Sequence, residues 1–226
     1  MKKVILSLFG FLLVSTFTGC IEIFETIVFA DNGGGHVQQK IDMSQMAAMM
    51  ESLKGMDKDK KEGEVEKKEE NPGAAGEEMV KGWEELKEIE GITNVSIYQD
   101  TVQMIYIVDY DFANESALNK AMSKREQSST KQKDLYTIEK SSITRSENST
   151  MGDLMESENE ETAEMMKTML ADMKYHLSIT VPGKIKSVSN KNAKISSDDK
   201  TITLEATFKD MTDKTTSLGM KINYKN

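Results

Sequence analysis

The side chains able to do acid–base or metal chemistry are few. The chain has two histidines among its 226 residues, His36 and His176, and each falls on a predicted strand. Asp109 and Asp111 in "VDYDF" stand two residues apart, which puts both on one face of a strand. Two carboxylates in a cleft can act as acid and base, or as nucleophile, in glycoside hydrolysis. An envelope hydrolase assembled from Asp109, Asp111 or His176 is therefore one alternative, although no Gly-x-Ser-x-Gly elbow supports it. The exposed end of a strand entering a helix accounts for the same two acids more simply.

The seventeen methionines are the most distinctive feature of the composition. Met43, Met46, Met49 and Met50 gather in one segment, and Met165, Met166, Met169 and Met173 in another. Thioether sulfur suits Cu(I), so a soft-metal protein of the envelope is a second alternative. Methionine is also a good helix former and an adaptable core filler, and on amphipathic faces that role is preferred. Two flexible Met-lined helices over a sheet would enclose an apolar pocket for an acyl chain or an apolar protein segment. Its walls would come from Met46, Met50, Trp83, Met166, Met169 and Met173.

Other metals find little. Structural zinc needs several Cys or His ligands, and the chain offers a single cysteine beside its two histidines. The run "DKDKKEGEVE" sets Asp57, Asp59 and Glu62 where a calcium loop would begin, but Glu62 stands at the sixth position, where the EF-hand turn requires glycine. No catalytic residue, metal or cofactor is expected, and the protein reads as non-enzymatic. A net charge of −9 argues against nucleic acid and against electrostatic adhesion to anionic lipid.

The one cysteine, Cys20, has a specific neighbourhood. "MKKVILSLFGFLLVSTFTG" has a basic start at Lys2 and Lys3, an uncharged apolar run from Val4 to about Val14, and small polar residues after it. That is the layout of a secretory signal peptide, and the run is shorter than the ~20 residues a spanning helix needs. The "FTGC" that follows resembles the lipobox of bacterial lipoproteins, with Gly19 and Thr18 fitting and Phe17 standing where that motif usually has an aliphatic residue. The resemblance implies a signal peptide over 1–19, removal before Cys20, and a thioether-linked diacylglycerol on Cys20, usually with a further acyl chain, such as palmitate, on its amine. Two or more chains anchor stably where one does not. In the sorting logic of some Gram-negative lipoproteins, Ile21 rather than Asp after the cysteine directs the protein to the outer membrane.

The elements that must position these residues follow from periodicity. Ile21, Ile23, Ile27 and Phe29 alternate as a strand, "DNGGG" turns, and "HVQQKIDM" returns as a second strand. Ser44 would cap a short helix through Leu53 that stops at Gly55. Asp57 to Glu70 is charged at every position but Gly63 and Val65, "NPGAAG" follows, and residues 56–76 read as a disordered insertion. Met79, Trp83, Leu86 and Ile89 make a helical face that Gly91 ends. "ITNVSIY" and "TVQMIYIVDYDF" form an apolar hairpin turning at Gln99 and Asp100. A short helix capped by Asn114 follows, then a long strand "DLYTIEKSSITR", an acidic loop, and a helix over "TAEMMKTMLADMKYHL". The last third is strands, with a bend at Pro182 and Gly183 and a turn near Asp198 and Asp199.

Strands in adjacent pairs with helices between them predict an α+β fold. Residues 20–226 form a single domain, a largely antiparallel sheet built from hairpins, with three to four short amphipathic helices packed on it. "VDYDFANESALNKAM", a strand running into a short helix, and "YHLSITVPGKIKSVSNKNAKISSDDKTITLEATF" together resemble the LppM-type domain of bacterial envelope lipoproteins. The charged insertion, and the lack of an apparent C-terminal transmembrane helix, depart from that type. The resemblance implies lipid or glycolipid binding. The expectation is a lipid-anchored envelope protein whose domain binds a lipid, another amphiphile or a partner protein, in the periplasm or at the outer membrane.

Overall fold

The computed structural model describes residues 21–57, 79–125, 134–147, 170–171 and 173–225. The chain folds as α+β, with eleven strands in two sheets among the described residues. In chain order the strands are β1 (Glu22–Phe29), β2 (Gly35–Asp42), β3 (Ile92–Asp100), β4 (Ile105–Phe112), β5 (Tyr136–Glu139), β6 (Ser142–Arg145), β7 (Lys174–Thr180), β8 (Lys184–Val188), β9 (Lys194–Ile195), β10 (Thr201–Thr207) and β11 (Met220–Lys225). The helices are α1 (Ser44–Asp57), α2 (79–84, continued by a 3-10 turn at Glu85–Glu88), α3 (Glu115–Arg125) and α4 (Phe208–Thr212).

The larger sheet runs β3-β4-β2-β1-β7-β10-β9, and the smaller runs β5-β6-β11-β8. Each hairpin of the large sheet follows from alternation around a turn. β1 and β2 pair from Glu22 opposite Asp42 to Phe29 opposite Gly35. The Gly35 position admits no side chain, since a Cβ would stand 2.1 Å from the Val28 carbonyl oxygen and 2.6 Å from the Phe112 ring. β1 lies in the middle of the sheet and joins β7 in parallel, from Glu22 opposite Lys174 to Val28 opposite Thr180. The chain leaves the large sheet for the small one at Pro182 and Gly183, between β7 and β8, so the expected bend is a corner between sheets.

Inward faces of both sheets share one core. β1 contributes Ile27 and Phe29, β4 contributes Tyr106, Val108, Tyr110 and Phe112, and the small sheet contributes Tyr136, Ile143, Ile222 and Tyr224. Helix α3 closes the core with Ala117, Leu118, Ala121 and Met122. Its residue Asn119 bonds β5 as a strand would: the amide donates to the Tyr136 carbonyl (2.7 Å) and its oxygen accepts from the Tyr136 N–H (2.8 Å). A second apolar cluster of Ile21, Met173 and Phe208 closes the end of the large sheet where β1 begins.

Several boundaries differ from those that periodicity predicts. Residues 136–145 form a hairpin turning at Lys140 and Ser141, because two short strands with a polar pair between them share the composition of one long strand. Gln99 and Asp100 belong to β3, and the turn is 101–104. Ser44 is the first residue of α1 rather than its cap, with its N–H and hydroxyl both donated to Asp42. Gly55 does not stop α1, which continues to Asp57. Lys174, Tyr175 and His176 are strand rather than the end of a helix, and residues 162–169 of that expected helix lie outside the described residues. Asn114 caps α3 as expected, its side chain accepting from the Ala117 N–H at 3.0 Å. The expected insertion over 56–76 lies outside the described residues beyond Asp57.

Candidate functional site at the start of the central strand

β1 begins at Glu22, two residues after Cys20. Cys20 itself lies outside the described residues, but Ile21 is buried, and its carbonyl accepts from the Lys174 N–H at 3.0 Å. Ile21 packs with Met173 and Phe208, and Ile23, Met43, Leu170 and Met211 lean on the same group. The chain is therefore already buried at Ile21, one residue before β1 begins.

Register places other features at this end. Glu22 stands opposite Asp42, Asp42 opposite Ile105, and Ile105 opposite Asp100. The turn between β3 and β4 thus projects from the edge where the chain enters β1. Helix α4 follows β10 at this end too, its first N–H donated from Phe208 to the Met173 carbonyl at 2.8 Å.

The residues of the expected apolar pocket are distributed over this architecture. Trp83 is buried in the main core, with Met46 packed against it. Met173 is in the second cluster, beside Ile21. Met50 is in α1, and Met166 and Met169 lie outside the described residues. Other methionines act as core filler: Met104, Met122 and Met220 are buried in the main core, and the Met122 sulfur accepts from the Tyr110 hydroxyl at 4.0 Å.

Asp109 and Asp111 share the outer face of the large sheet, and His36 of β2 lies between them. His36 Nδ1 is 2.8 Å from Asp111 Oδ1, and its Nε2 is 3.5 Å from Asp109 Oδ1. The Asn94 amide donates to Asp111 (2.7 Å) and the Gln38 amide to Asp109 (2.8 Å). The Asn94 hydrogen bond, and after it the one from His36, hold the Asp111 carboxyl below its ordinary pKa. His176 is not part of this group. It lies on β7, two strands from β2, stacked on Phe24 with ring centroids 4.5 Å apart, and 3.6 Å from both Glu22 and Glu205. The three residues of the hydrolase alternative thus fall into two groups. Among the described residues, no three His, Cys, Asp or Glu side chains are grouped to hold a metal.

A buried polar cluster joins the two sheets, and periodicity alone did not single it out. Glu25 points inward from β1 between Ile23 and Ile27, and accepts from the hydroxyls of Tyr175 (2.7 Å) and Tyr136 (3.3 Å). Arg145, inward from β6, donates Nε–H to the Tyr136 oxygen at 3.0 Å and brings Nη2 within 3.8 Å of Glu25. Burial pushes the Tyr136 hydroxyl well above its ordinary range; the Arg145 charge opposes that push without reversing it. Burial disfavours the charged guanidinium, but the Tyr136 and Glu25 oxygens outweigh that effect and keep Arg145 charged. The signal in the sequence is a charge at an inward position of an alternating strand: Glu25 keeps the parity of Ile23 and Ile27.

No family model and no curated protein matches the chain. Among solved structures, the NMR structure of the folded domain of the Mycobacterium tuberculosis LppM protein is similar over 95% of both chains, at 7% identity and a TM-score of 0.39.

Proposed function

We propose that this is a non-enzymatic lipoprotein of the bacterial cell envelope, held on a membrane by acyl chains on Cys20, whose α+β domain binds a partner protein or an amphiphile there. The observation that carries the reading is the junction. A lipobox-like "FTGC" ends at Cys20, and the next residue, Ile21, is already buried at the start of the middle strand of the large sheet. Removal of residues 1–19 would leave that sheet whole and put the anchor against it. No helix among the described residues is long and apolar enough to cross a membrane, so acyl chains are the attachment the reading relies on.

Methionines buried among apolar side chains favour the filler role over soft-metal binding. The His36 group is closed on itself by hydrogen bonds from Asn94 and Gln38, which favours an ordered surface network over a waiting active site.

Cys20→Ser tests the anchor. Variant protein that has lost residues 1–19 should keep its circular dichroism spectrum, leave the membrane fraction and partition into water rather than detergent; continued membrane association of that processed form would contradict the reading. Affinity capture of the lipidated protein from its own membranes, with native mass spectrometry, should recover a bound protein or amphiphile. Recovery of neither would remove the binding half of the proposal.

A further inference from the structure

We infer that the turn between β3 and β4 is a second membrane contact, with Val102 entering the headgroup region of the bilayer that carries the Cys20 anchor. This rests on the lipoprotein reading above and names the surface that its domain presents to lipid. The occupant follows from where the chain enters the fold. Residues 1–20 precede a buried Ile21, so a bilayer holding acyl chains on Cys20 lies at the β1 entry edge, with no tether to lift the domain away.

Register carries the same edge to the turn. Glu22, Asp42, Ile105 and Asp100 form one row across β1, β2, β4 and β3, and neighbouring strands are about 4.8 Å apart. The tip at 101–103 therefore projects beyond that edge, about 12 Å from β1 across the sheet. At its apex Val102 is 85% exposed, the most open large apolar side chain among the described residues.

The turn is built to hold Val102 outward. Asp100 Oδ1 accepts from the N–H groups of both Val102 (3.0 Å) and Gln103 (2.9 Å). Met104 then takes a left-handed φ of 54° and buries its side chain, while its carbonyl accepts from the Met43 N–H at 3.0 Å. The chain thus accepts a backbone conformation that a non-glycine residue rarely adopts, and it sends one apolar side chain in and the other out.

Charge at this edge is partly compensated. The carboxylates here are engaged within the protein, two of them by lysine and two by hydrogen bonds that leave their charge in place. Asp42 pairs with Lys40 at 2.9 Å, Asp210 closes the α4 cap with Thr207, Asp213 pairs with Lys209, and Asp100 holds the turn.

The test uses the full lipidated protein with a nitrobenzoxadiazole label on Val102→Cys or, as the control, Asp31→Cys. Once lipid occupies Cys20, each introduced cysteine is the sole free thiol. Asp31 lies in the exposed turn at the far end of β1, about 23 Å along the strand. In vesicles of phosphatidylethanolamine and phosphatidylglycerol, free of other protein, the Val102→Cys label should shift to the blue. It should be quenched several-fold more strongly by doxyl phospholipid, and less by iodide, than the control. Equal iodide access at both positions, with intact mass showing lipid on Cys20, would overturn this inference and leave the anchoring reading standing. Unmodified Cys20 in the same sample would overturn both.

Discussion

Glu25 and Arg145 are each 2% exposed and come from different sheets, so they form the one charge pair described in the core between them. The Nη2 to Oε1 separation of 3.8 Å is long for a direct bond, and the tyrosine hydroxyls of Tyr136 and Tyr175 complete the group. A buried pair of this kind is weak support for stability compared with apolar replacement, but removing one partner strands the other. Glu25→Met or Arg145→Met alone should destabilise by about 3–5 kcal/mol, and the double variant should recover most of that loss. Urea unfolding followed by circular dichroism measures the cycle, and additive losses would show that the pair is not coupled. On the outer face, Asp111 gives a pH-dependent case. Its folded pKa is depressed, so the contribution it makes is present at neutral pH and is lost as pH falls from the ordinary carboxylate range through the depressed value. The side chain is 41% exposed, so solvent screening keeps that contribution small. Asn94 has a φ of 53°, which glycine accepts without strain, so Asn94→Gly removes the amide while keeping the backbone. The Asp111 pKa, followed by ¹³C NMR, should then rise toward its ordinary value; an unchanged pKa would mean His36 alone sets it.

Helix α4 is short, and its start is fixed by a reciprocal cap. Thr207 Oγ1 accepts from the Asp210 N–H at 3.1 Å, and Asp210 accepts from the Thr207 N–H at 3.2 Å. Loss of such a cap costs about 1 kcal/mol, so Thr207→Ala should lower the urea midpoint by a corresponding amount without changing the slope. The strand pattern of β1, β2 and β10 was readable because one face of each is apolar in a period of two, and that of β4 because its first half is apolar on both faces. The helix face around Trp83 was readable by its longer period, and α3 by its Asn114 cap. The pairing of β1 with β7 was not, because a parallel contact between distant segments leaves no local signal. The α4 turn was missed because "FKDMT" is too short to show a period, although Thr207 and Asp210 carry the cap signature. The candidate site divides the same way. The closeness of Asp109 to Asp111 was legible from spacing, whereas His36 reached those acids only through the β2–β4 register. The joining of Glu25 to Arg145 needed two sheets to face each other.

At the scale of the whole molecule, the chain's entry point orients everything else. β1 is both the first strand and the middle of the seven-stranded sheet, so force or restraint applied at Cys20 is delivered to the centre of the fold rather than to a loop. Anchored there, the domain would stand with its β1 entry edge to the bilayer and the Asp31–Gly33 turn away from it. The measurement that tests this account most directly is the intact mass of the mature protein isolated from its membranes. The account predicts a chain that begins at Cys20 and carries a diacylglycerol thioether, with a further acyl group on its amine. A mature chain that begins elsewhere, or one with an unmodified Cys20, would contradict it.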